Sequence, residues 1–102
     1  CGPRLLRGGE ASVDALAEGF SYPKILTLSL PRSAIGLTRR GTLLLVTSGS
    51  ATIVELARLM RALGAHDAMN LDGGASSGVW TDGRYLTTPG RDLSHALVVV
   101  RR

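Results

Sequence analysis

The strongest constraint on this chain is a single helical period. Ile53, Leu56, Ala57, Met60 and Leu63 recur at i, i+3, i+4, i+7 and i+10, which places them on one stripe of an α-helix. Thr52 and Glu55 form a T-x-x-E capping box ahead of that stripe, and Gly64 supplies a stop just past it. Elsewhere the apolar residues alternate with period two or gather in short runs. One helix must therefore pack on strands.

The strands can be read in order. Gly2-Pro3 and Gly8-Gly9 bracket a short apolar step, the pattern of a brief strand ending in a turn. Residues 11–22 are weakly patterned and read as a loop with room for one helical turn. Lys24 to Leu30 alternates and is closed by Pro31, which predicts a half-buried strand. Ser33–Thr38 and Thr42–Thr47 read as a hairpin around Arg39-Arg40-Gly41. Ala68–Asp72 and Ser76–Thr81 read as further strands, and Asp82-Gly83 is a two-residue hairpin turn into Arg84-Tyr85-Leu86. The apolar run Ala96–Val100 suits a central strand. Six to eight strands and one main helix make the class α+β, with a largely antiparallel β-sheet packed against that helix.

Composition narrows the function classes. With 102 residues and 44% apolar content, the chain is one domain's worth and can build a core without metals or multiple disulfides. The net charge of +4 comes from scattered residues, with adjacent pairs only at Arg39-Arg40 and Arg101-Arg102, so no nucleic-acid stripe is formed. There is no transmembrane run and no signal segment; an export signal would have to lie upstream. The single cysteine, Cys1, excludes an internal disulfide. It reads as a lipidated first residue, an autocatalytic nucleophile or a fragment boundary, and the boundary is the plainest of the three.

The unusual stretch is Asn70-Leu71-Asp72-Gly73-Gly74-Ala75-Ser76-Ser77. Strand alternation sends Met69 and Leu71 to one face and Ala68, Asn70 and Asp72 to the other. Asn70 and Asp72 are poor strand formers, and local preference tends to be broken where function demands it. Gly73-Gly74 opens torsions closed to other residues, Ser76 and Ser77 add hydroxyls, and successive amides in such a turn can form an anion-binding nest. A plain bend with solvated serines explains the same residues. Thr47 to Thr52 is a hydroxyl-rich connection leading to a helix N-terminus, a place favourable for phosphate, though without P-loop spacing. A capped loop explains it equally, and Glu55 is already accounted for by the capping box. Arg32 and Arg91 are either solvated charges or bidentate clamps on an anion. His66 and His95 share no motif, and H-E-x-x-H, C-x-x-C and G-x-S-x-G are all missing, which leaves a zinc enzyme and a serine hydrolase unsupported.

Taken in order, Arg32-Ser33-Ala34-Ile35-Gly36, the helix from Thr52 to Ala57, Gly64 through Ser77 and Arg91 through Leu97 resemble the phosphodiester glycosidase family of uncovering-enzyme-like domains. The resemblance covers nearly the whole chain, and its D-A-x-N-L-D-G-G-x-S-S core is long. It implies hydrolysis of a sugar-1-phosphodiester in an envelope or secreted glycan, hence an extracellular or envelope location. Carried over by position, Asp72 and Asn70 become the catalytic candidates, with Arg32, Thr52, Gly73, Gly74, Ser76, Ser77 and Arg91 binding substrate and Glu55 beside them at the helix start. The implied partner is a carbohydrate phosphate. No cofactor is indicated, and whether a divalent cation takes part is left open.

The chain also departs from the family pattern. Thr47-Ser48-Gly49 stands where the family commonly has an aspartate and glycine, Ala75 replaces a third glycine, and His95 stands where asparagine is frequent. The loss of a carboxylate at Ser48 keeps a second reading open, a noncatalytic glycan- or phosphate-binding module of the same fold. Family domains extend upstream of this match, so residues 1–102 are expected to be the C-terminal part of a larger domain, with missing strands supplied by upstream sequence or a partner chain.

Overall fold

A computed structural model of the chain describes residues 3–12, 28–71, 73–93 and 96–100. Seven strands lie among them: β1 (Arg4–Arg7), β2 (Glu10–Ala11), β3 (Leu30–Thr38), β4 (Leu43–Ala51), β5 (Ala65–Asn70), β6 (Val79–Thr81) and β7 (Arg84–Thr87). One α-helix, α1 (Ile53–Ala62), separates β4 from β5, and a 3-10 turn spans Gly74–Ser76. The main sheet has the order β2-β1-β5-β3-β4, with β6 and β7 forming a separate hairpin. Every pairing is antiparallel, in keeping with the α+β class expected from the sequence.

The helix forms as its pattern predicts. The Thr52 hydroxyl accepts from the Glu55 amide at 3.1 Å, and the Glu55 carboxylate accepts from the Thr52 amide at 2.9 Å. Ile53, Leu56, Ala57 and Met60 are buried against Leu5, Leu6, Ala34 and Ala68 of the sheet. Each large aliphatic side chain removed from water contributes about 1.5–3 kcal/mol. Leu63 leaves the stripe because the helix ends at Ala62 and Leu63 becomes its C-cap, half exposed. Gly36 lets the helix approach: a Cβ there would lie 2.8 Å from the Met60 methyl group.

Turns set the register. Gly8 and Gly9 both take positive φ, as do Asp82 and Gly83, the torsions of two-residue type I′ turns. Gly41, at φ +85°, helps close the β3–β4 loop, where the Thr38 amide donates to the Thr42 carbonyl.

Five expectations are revised. Pro31 does not close a strand; it lies within β3, at a register shift between Leu30 and Arg32, where a missing amide is tolerated. The expected strand from Lys24 lies outside the described residues as far as residue 27, and 28–29 are not in strand. Ser48-Gly49-Ser50 is not a loop, because β4 continues through it to Ala51. Ser76–Thr81 is a strand only from Val79, since Gly74 at φ +59° turns the chain into the 3-10 segment first. The Ala96–Val100 run is outside any strand, with Val100 76% exposed. Its composition encodes a taste for burial without naming a pairing partner, and β1, β3 and β5 hold the interior places of the sheet.

Candidate active site

Register decides which polar side chains meet. Arg32 lies opposite Ser48, and Ala34 lies between Val46 and Asn70, so Arg32 and Asn70 share the helix-side face of the sheet. Ser33 lies opposite Thr47 on the other face. The alternation expected around Asn70 holds: Ala68 and Asn70 are buried and Met69 is exposed.

Arg32 is 2% exposed, unusual for arginine. Its Nε donates to the Ala51 carbonyl at 3.0 Å and a terminal nitrogen donates to the Leu28 carbonyl at 2.7 Å. Burial holds its pKa below the ordinary value, yet a guanidinium remains protonated. This buried cation ties the start of β3 to the residue preceding the Thr52 cap. Thr52 and Glu55 are engaged with one another. The hydrogen bond from the Thr52 amide, then that with its hydroxyl, holds the Glu55 carboxyl below its usual range, so it stands as an anion at the helix start.

Asn70 ends β5, buried, its amide donating to the Pro3 carbonyl at 3.0 Å. The Leu71 amide then donates to the Ser33 carbonyl at 2.8 Å. Asp72, the carboxylate singled out by the sequence, lies outside the described residues, as do His95 and Cys1. Gly73 follows with its backbone pressed on β3; a Cβ there would lie 2.7 Å from the Pro31 carbonyl oxygen. The amides of Ser76 and Ser77 donate to Gly73 and Gly74 within the 3-10 turn, so those two donors are used by the turn itself.

The serines are held from both sides. Ser77, buried, shares a hydrogen bond with the buried Ser33 hydroxyl. Arg91 Nε donates to the Ser76 hydroxyl at 2.8 Å, and the Gly90 amide donates to the Ala75 carbonyl at 2.8 Å. Thr47 and Thr87 share a second hydroxyl–hydroxyl bond, which fastens β7 to β4.

The fold thus gathers Gly73, Gly74, Ser76, Ser77 and Arg91 in one place and sets Asn70 and Arg32 beside it, through β5 and β3. Thr52 and Glu55 connect to it through the Arg32 bond to Ala51. Ser33 and Thr87 are additional members that sequence reasoning did not select, and Thr47 entered there only as the first residue of the hydroxyl-rich connection to the helix. Ser33 carried a signal, being the polar residue in the alternation that runs Ser33, Ile35, Leu37 along one face of β3.

A polar end of an antiparallel sheet, with an arginine on a serine turn and a buried arginine behind it, suits an anionic, hydroxyl-rich ligand. The model of the phosphodiester glycosidase family matches residues 1–100. The chain belongs to the phosphodiester glycosidase family. Solved structures share the fold. A hypothetical protein from Synechocystis is similar at 35% identity and a TM-score of 0.78 over 87% of this chain and 18% of its own. The catalytic domain of zebrafish N-acetylglucosamine-1-phosphodiester alpha-N-acetylglucosaminidase, auto-inhibited by its pro-peptide, shares the fold at 22% identity and a TM-score of 0.67, over 84% of this chain and 33% of its own. The chain therefore spans about a fifth and a third of those two proteins. No curated protein matches it. No helix among the described residues is long and apolar enough to cross a membrane.

Proposed function

We propose that this phosphodiester glycosidase chain hydrolyses a sugar-1-phosphodiester, cleaving the bond between an anomeric carbon and phosphate in an envelope or secreted glycan. The observation that carries the reading is the convergence of Ser76, Ser77 and Arg91 on the turn that follows Asn70. Arg91 and the serine hydroxyls supply the charge and hydrogen bonds a phosphodiester needs. Asp72 is the carboxylate assigned to the anomeric centre. It stands in sequence between Leu71, bonded to Ser33, and Gly73, seated on Pro31. Glycoside cleavage passes through an oxocarbenium-like state and usually employs two carboxylates. Phosphate is already a good leaving group, which lightens the demand for a second.

A substrate of that kind lies outside the cytoplasm, which supports an extracellular or envelope location for the chain. Release of sugar from the methyl phosphodiester of N-acetylglucosamine 1-phosphate tests the reading. Asp72→Asn is expected to lower kcat by about a hundredfold or more. Equal rates for the two proteins would remove Asp72 from the mechanism. Saturable binding of the same compound with no turnover by either would favour the noncatalytic binding module.

A further inference from the structure

We propose that Trp80 and Tyr85 form an aromatic platform that stacks against a pyranose ring of the glycan; this rests on the glycosidase reading and adds a sugar subsite to it. The two residues are direct cross-strand partners on the β6–β7 hairpin, so their rings stand on the same face. Trp80 is 62% exposed and Tyr85 56%.

That display runs against economy of burial. The chain has only four aromatic residues (one tryptophan, two tyrosines and one phenylalanine). Aromatic rings carry the largest apolar surfaces available to a core. Yet the buried cluster beneath α1 is made of leucine, isoleucine, alanine and methionine, while two of the four aromatics face solvent side by side. The partners of a ring face are groups with electropositive hydrogens, because the π-system is negative on its face. The axial C–H bonds of a pyranose present such hydrogens in a flat array, and its hydroxyls stay in water at the rim.

The hairpin is also joined to the serine turn. Trp80 is three residues from Ser77, so along the chain the two are at most about 11 Å apart. Thr87 is bonded to Thr47, the strand partner of Ser33, which in turn holds Ser77. Gly78 lies against Pro89, where a Cβ would approach to 2.9 Å. The register shift between Val79 and Trp80 separates the two faces of the hairpin: Val79 lies opposite Thr87, which is bonded to the main sheet, while the next pair is Trp80 and Tyr85. In this reading a ligand whose phosphate meets Arg91 and the serines extends its sugar round the hairpin to the aromatic pair.

As Trp80 is the single tryptophan, its emission reports on this face directly. Titration with free N-acetylglucosamine is expected to give a saturable change in that emission, and inorganic phosphate none. In hydrolysis of the methyl phosphodiester, Trp80→Ala and Tyr85→Ala should each raise KM about fivefold to tenfold with kcat within about twofold, as expected for lost uniform binding, and Trp80→Phe should keep most of the affinity. Thermal melting of each variant separates loss of the platform from loss of the fold. Emission indifferent to the sugar, together with a wild-type KM for Trp80→Ala, overturns the platform and leaves the glycosidase reading standing. Should wild type show no turnover, the sugar titration still decides, since saturation supports the platform and its absence removes it. Self-association by sedimentation that Trp80→Ala abolishes would overturn it as well, assigning the face to a protein contact.

Discussion

The two ends of β5 each meet a Gly-Gly pair, and the two pairs are glycine for different reasons. At the amino end, the Gly9 amide donates to the His66 carbonyl at 2.7 Å and the Gly8 amide to the Asp67 carboxylate at 3.2 Å. Both glycines take positive φ, +60° and +82°, and a Cβ on either would meet nothing closer than 3.6 Å. Beyond the carboxyl end, Gly73 has φ −122°, open to any residue, but stands where a Cβ would be 2.7 Å from a backbone oxygen. Only Gly74, at φ +59°, is left-handed. The first pair answers a demand of torsion, and Gly73 answers a demand of space. Torsion can be met by other residues that tolerate the left-handed region, whereas the space at Gly73 cannot be shared.

The largest effect is therefore expected at Gly73. Gly73→Ala must push the turn away from Pro31, an overpacking cost of about 1–3 kcal/mol. For a domain of this size the melting temperature should fall by on the order of 10 °C. The displaced backbone carries Ser76 and Ser77 with it, so hydrolysis should fall further than stability accounts for under conditions where the variant remains folded. A variant melting with wild type and turning over normally would show that the close approach to β3 is dispensable, and the contrast between the two pairs would collapse.

A smaller effect is expected at Gly8, and its pattern sharpens the contrast. Gly8→Ala forces a left-handed alanine and should cost about 1–2 kcal/mol. Gly8→Asn should recover much of that, because asparagine visits this region readily. At Gly73, asparagine should be no better than alanine. Urea midpoints of the four variants measure this directly; equal recovery by asparagine at both positions would mean that torsion governs both.

Much of the frame was legible because it rests on local rules. The T-x-x-E cap, the stripe from Ile53 to Met60, the Asp82-Gly83 turn and the inward side of Asn70 each depend on residues a few positions apart. What the sequence left hidden depends on distant partners. Ser33 and Ser77 are 44 positions apart, and no local pattern marks two hydroxyls that will share a bond. The unbroken apolar run Ala96–Val100 told of a preference for burial without telling what it could pair with. Arg32 was legible as a site residue by its place in the motif, but its two bonds to carbonyls of Ala51 and Leu28 follow from the register shift at Pro31, which the sequence presents only as a strand breaker. The Gly-Gly pairs belong to the same class: identical letters, distinguished by what lies across the sheet.

The smallest effect is electrostatic and belongs to the amino end alone. Asp67 accepts from the Gly8 amide, and its Oδ2 lies 3.5 Å from His66 Nδ1. The Gly8 hydrogen bond, followed by the side-chain bond and charge of His66 and the charge of Arg4, holds its carboxyl below the usual aspartate range against a weaker opposing effect of burial. A carboxyl whose pKa is lower folded than unfolded contributes stability above the unfolded value, near about 3.9 for aspartate, and loses it as the pH falls through the folded value. Stability of wild type relative to Asp67→Asn should be greatest near neutrality and should shrink as the solution is acidified through and below that value. Because Asp67 is exposed, added salt should weaken the part due to His66 and Arg4 and spare most of the Gly8 bond. A difference between the two proteins that stays constant from neutral to acid pH would mean that the carboxylate does not recognise the Gly8 turn, and that torsion alone holds this end of β5.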